Sequence, residues 1–163
     1  MILRFVYVIF IGILLATFVG VGIDAFYPGP KAPEPPLSIK YCPPKNEISP
    51  EVRQEQKKFD AEERVFMEKS KVYNRDISII SLVAAIIILI ISLTFARVIQ
   101  VIADGMLLGG ALTLTYSIIR GFASEDAKFR FLVVTVGLII AIFLGYLKFI
   151  KSQKEETAKK KAK

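Results

Sequence analysis

The sequence predicts an all-α membrane protein with four transmembrane helices and one extramembrane polar helix between spans 1 and 2. Three observations predict it. Apolar residues make up 53% of the 163 positions, and they cluster in runs nearly free of charge. A run of about 18 or more apolar residues is long enough to cross the hydrocarbon core of a bilayer as a helix. The charged residues collect instead in a stretch from residue 24 to 76 and in a lysine-rich tail. What lies outside the runs is too short for a separate soluble domain.

Residues 2–23 form the first span. Its apolar region is longer than that of a signal peptide, which predicts an uncleaved anchor. Residues 24–50 form a Pro-rich linker, and all eight prolines lie between Pro28 and Pro50. Proline fixes φ and lacks an N–H, so the segment is extended and poor in hydrogen bonds. It is either a ligand for a proline-recognising groove or, the preferred reading, a stiff spacer holding the next helix away from the first span.

Ser49-Pro50-Glu51 is a helix start, with a capping hydroxyl, proline at the first position and an acid at the positive end of the dipole. The helix predicted over residues 50–76 is charged and amphipathic. Val52, Phe59, Phe66 and Tyr73 recur every seven residues, and therefore share one face. The companion heptad positions Gln56, Glu63 and Ser70 are polar, so the coiled-coil signal is thin. Two readings follow. The helix is solvated and lies on the bilayer surface or on neighbouring loops, or its apolar line is a partner face for another helix.

Residues 77–96 form the second span, and no Gly or Pro separates it from the polar helix. Asn74 is the soft point between them. The third span covers 98–119 or, on a tighter reading, 105–119. Its start is the least defined part of the map. Asp104-Gly105 is a turn signal, and Arg97 can snorkel to the headgroups. The preferred reading is an interfacial hairpin with a local Arg97–Asp104 pair. A proton or ion site is the sharper alternative, because an intramembrane charge is by default functional. Residues 120–130 make a short loop, 131–150 the fourth span and 151–163 a Lys-rich tail predicted to be disordered.

Small residues recur at intervals of four in three spans: Gly12, Ala16, Gly20; Gly105, Gly109, Thr113, Ser117; and Gly137, Ala141, Gly145. Without a hydrophobic drive between helices in lipid, close backbone approach over small residues is what lets helices pack. These stripes predict a compact bundle, or one stripe turned outward to an oligomer. The segments Gly12–Gly20 and Gly137–Gly145 also resemble each other over nine residues, which reads as shared packing demand rather than as a duplication.

The net charge of +7 is a property of the tail and suits anionic lipid headgroups rather than nucleic acid, for which a basic face with stacking aromatics is missing. Histidine is absent and Cys42 is the single cysteine, so the commonest base and metal ligand are missing and no intrachain disulfide can form. No residue is assigned a catalytic, cofactor-binding or metal role. Lys/Arg counts near the span ends are balanced between the two sides. The lysine tail and the short N-terminal end favour cytoplasmic termini, in the plasma (inner) membrane.

Function is therefore expected to be non-enzymatic: a subunit or scaffold of a membrane complex, with the bilayer, a protein partner or a second copy as its partners. The alternative is a small oligomeric transporter or channel using Asp104 and Thr113 on the third span. The layout of a span, a charged helix and further spans also resembles that of membrane protein insertases. That resemblance implies a biogenesis role as a third reading, and it carries over no residue.

Overall fold

The computed structural model describes residues 2–36, 50–96 and 99–161, with side chains described through residue 146. Among the described residues the chain has four helices and no strand. They are α1 (Ile2–Phe26), α2 (Pro50–Phe95), α3 (Gln100–Ala123) and α4 (Ala127–Lys161). All four are long and apolar enough to cross a membrane, as in a multi-pass membrane protein.

The polar helix and the second span are one element. No residue after Pro50 breaks the i to i−4 ladder before Phe95, and Asn74 lies within it. At 1.5 Å per residue α2 is about 69 Å long, of which the polar part from residue 50 to 76 contributes about 40 Å. An unbroken helix cannot turn flat onto the bilayer that its other half crosses. The polar part therefore continues the second span as an arm, and Asn74 does not interrupt it.

The break before α3 falls earlier than Asp104-Gly105. Ile99 is extended and precedes the first turn, and both Asp104 and Gly105 sit inside α3. The aspartate–glycine turn reading is overturned, because the helix around Gly105 is held by packing against α1. The turn between α3 and α4 is tight. Asp126 Oδ1 accepts the backbone N–H groups of Lys128 (2.9 Å) and Phe129 (3.3 Å), capping α4. At its far end α4 runs through the lysine-rich stretch to Lys161, where a disordered tail was expected. Ala, Lys, Gln and Glu are among the better helix formers, so a tail with no apolar residue beyond alanine can still extend a helix.

α3 is the hub. It runs parallel to α1, since Arg4 meets Asp104 and Gly12 meets Leu108. It runs antiparallel to α2, since Ser78 meets Ser117 and Ser92 meets Ala103. It also runs antiparallel to α4, where Gly137 faces Ile118. Among the described residues α1 and α4 do not touch each other. The arrangement is therefore open around α3 rather than a closed bundle. Of the most apolar stretches of α2 and α3, 44% and 39% of residues are buried, against 6% and 11% for α1 and α4. Phe5, Phe10, Phe18, Ile139, Ile142 and Phe143 all point outward. Such a surface would aggregate in water, whereas hydrocarbon chains solvate it.

The α2–α3 seam is built from hydroxyls. Ser78 Oγ donates to the Ser117 carbonyl (2.8 Å) and Ser117 Oγ donates back to the Ser78 carbonyl (2.7 Å). Near the other end Ser92 Oγ donates to the Ala103 carbonyl (2.7 Å). All three side chains are buried. With no water to serve them, such groups need internal partners, and here the partners lie across the seam.

Candidate functional site

The polar residues that could matter outside the bilayer gather where α2 changes from charged to apolar. Three separate parts of the chain grip α2 at that level. The first is the exit of α1. Tyr27 stacks on Tyr73 with ring centroids 5.5 Å apart and planes at 7°. Tyr73 Oη donates to the Tyr27 carbonyl (3.1 Å), and Tyr27 Oη donates to Asp76 Oδ2 (3.0 Å). That bond to Asp76 holds the Tyr27 phenol above its usual range, with the loss of hydration and the neighbouring negative charge adding to it. Gly29 follows closely, and a Cβ there would lie 3.1 Å from the Tyr73 ring. The linker thus starts by folding onto α2 instead of standing clear of it.

The second grip comes from α3. Arg120 Nη1 donates to Asn74 Oδ1 (2.8 Å) and Arg120 Nε donates to Tyr116 Oη (3.0 Å). Asn74, the expected soft point, is thereby tied down. The third comes from the α3–α4 turn, where Lys71 pairs with Glu125. The Lys71 hydrogen bond and charge hold the Glu125 carboxyl below its usual range. Glu125 sits at φ 58, the left-handed conformation usual for the residue after a helix C-terminus and usually filled by glycine. Linker, α3 and turn together hold the base of the arm.

At the opposite end Arg4 donates to Asp104 Oδ2 (3.0 Å), joining the starts of α1 and α3. Arg97, expected to pair with Asp104, lies outside the described residues, as does Cys42. The sequence reading overlooked Arg4 because its distance along the chain hid it. The available signal was that both charges fall at the same depth of parallel spans.

The small residues divide between contact and open space. A Cβ at Gly105 would lie 2.9 Å from Ile11 Cβ, and one at Gly109 3.1 Å from the Gly12 carbonyl oxygen. A Cβ at Gly12 would run into Leu108. Thr113 and Ser117 are buried, and Thr113 Oγ1 donates to its own helix at Gly109. Ala16 is half-buried and Ala141 exposed. A Cβ at Gly20 or Gly145 would meet nothing within 4 Å. Along the arm, Val52, Phe59, Phe66 and Tyr73 are all half-buried.

Among the described residues no group of three or more Cys, Asp or Glu side chains is placed to hold a metal ion. Comparison of the chain with protein-family models, curated proteins and solved structures gave no match.

Proposed function

We propose that this chain is a non-enzymatic subunit or scaffold of a membrane complex whose working part is the arm of α2. The observation that carries the reading is the unbroken helix from Pro50 to Phe95, gripped at the membrane boundary by Tyr27, Arg120 and Glu125. A helix fixed at its base and charged over about 40 Å is suited to holding something at a set distance from the bilayer. The lysine-rich end of the chain meets anionic headgroups on the other side, with both termini cytoplasmic in the plasma (inner) membrane. A pore-forming role for Asp104 and Thr113 gains nothing from their surroundings. Asp104 faces Arg4, and Thr113 is buried within one chain.

The test is photo-crosslinking of the full chain in its native membrane from the exposed arm positions Glu62 and Lys69. A discrete protein adduct from the arm, absent with the probe at lipid-facing Ile139, is the expected result. Adducts to lipid alone from all three positions would remove the reading. Topology has a separate readout. A membrane-impermeant thiol reagent applied from outside should label Cys42 before lysis; labelling only after lysis would put the arm inside.

A further inference from the structure

We infer that Tyr27–Pro36 is a polyproline strap that lies antiparallel along the arm and covers its apolar line in cis. The first observation is the pattern of cover on the arm. Val52, Phe59, Glu63, Phe66, Ser70 and Tyr73 are half-buried, and they fall on one face of the helix. The neighbours of Phe66 show how bare the arm is elsewhere: Val65 is 51% exposed and Met67 50%. No other helix accounts for this. α1 ends at Phe26, next to the Tyr27 that stacks on Tyr73, and α3 reaches the arm only at its base, near Asn74.

The second observation is the matching pattern on the linker. Pro30, Pro33 and Pro36 are half-buried, while Lys31, Ala32, Glu34 and Pro35 between them are exposed. A period of three is that of polyproline II, which turns the same face inward every third residue. The two periods are commensurate. Three polyproline residues advance about 9.3 Å, and seven helical residues advance about 10.5 Å. The start is fixed by the Tyr27–Tyr73 stack and by Gly29 against the Tyr73 ring. Counting back from there puts Pro30 level with Phe66, Pro33 near Phe59 and Glu63, and Pro36 near Val52.

Proline suits the role. It has no N–H to leave unsatisfied, and its restricted unfolded state makes docking cost less entropy. The strap occupies the line that would otherwise pair with a second helix. A helical partner must displace it, or use the charged back of the arm. The device concerns the same arm as the proposed scaffold role, but its test reads geometry inside one chain and stands or falls without any partner.

The experiment uses the full chain with Cys42→Ser in lipid nanodiscs. The double variant P33C/E63C should form an intramolecular disulfide on the order of tenfold faster than P33C/E62C, whose second site lies off the covered face. Equal rates, or cross-links only between two chains, would overturn the proposal. A second measurement leaves the strap's prolines intact. Tyr73→Ala should speed trypsin cleavage after Lys31 on the order of tenfold, because it frees the anchored end. An unchanged rate would equally overturn it.

Discussion

Two segments of this protein share their Gly, Ala, Phe and Gly at the same four of nine positions, Gly12–Gly20 in α1 and Gly137–Gly145 in α4, yet they are used differently. In α1 the glycine meets a surface made to receive it. α3 presents Gly105 and Gly109 to α1, so the two backbones approach from both sides and Ile11 and Leu15 settle over the gaps. In α4 the glycine at 137 meets the Ile118 side chain instead, 3.3 Å from where its own Cβ would be. Both stripes run out into open space at their last glycine, Gly20 and Gly145. A ladder of small residues is therefore a permission to approach. The partner surface decides whether the approach happens.

The largest expected effect breaks this comparison at its centre. Gly109→Leu should cost about 1–3 kcal/mol by overpacking, since a Cβ there already crowds Leu15 and the Gly12 carbonyl. Gly145→Leu should be near neutral. Reversible unfolding in mixed micelles measures both; an equal loss for Gly145→Leu would mean that the outer stripe also packs against something. Next is the hydroxyl seam. Ser78→Ala removes a cross-helix bond and should cost about 0.6 kcal/mol, and at most roughly 1.7. Thr135→Ala on α4 should change little, because Thr135 Oγ1 only bonds back to Phe131 in its own helix. A double-mutant cycle on Arg4→Gln and Asp104→Asn should give a smaller coupling, about 0.5 kcal/mol, because both groups are part-exposed and screened. Zero coupling would leave glycine contact as the whole of the α1–α3 attachment.

The smallest effect concerns the turn that starts α4. A carboxyl with a lowered folded pKa adds stability above its unfolded value, here 4.5, and loses it as pH falls through the folded value. Amide exchange around Glu125 should therefore be flat from pH 7 to about 5 once corrected for intrinsic rates, and its protection should fall below 4.5. Lys71→Met should abolish that acid step and leave exchange at the α1–α3 contact unchanged.

How much of this was legible in the sequence follows from the distance over which each feature is decided. Span positions depend on local composition, and apolar runs state them directly. The seam serines of α2 were also within reach, because Ser78 and Ser92 lie fourteen residues apart on one stripe of an otherwise apolar span. Helix starts and stops were harder. Asp104-Gly105 is a turn signal only when nothing else holds the backbone, and Ile11 against Gly105 holds it. Pairings across the chain were out of reach. Arg4 bonds Asp104 from a hundred residues away, a pairing that neither residue's neighbourhood announces. The Tyr27–Tyr73 stack likewise depends on the register of two distant segments, which neither segment states alone.

The continuity of α2 has a mechanical consequence. A helix that is gripped at the membrane surface and stiff on both sides of the grip is a lever with its fulcrum at Tyr73–Asp76. Tilting the inner end by about 10° swings the tip of a 40 Å arm by about 7 Å. Changes in bilayer thickness alter span tilt at modest energetic cost. Such a change would reach Pro50 as a displacement larger than its cause, and whatever is seated on the arm would move with it.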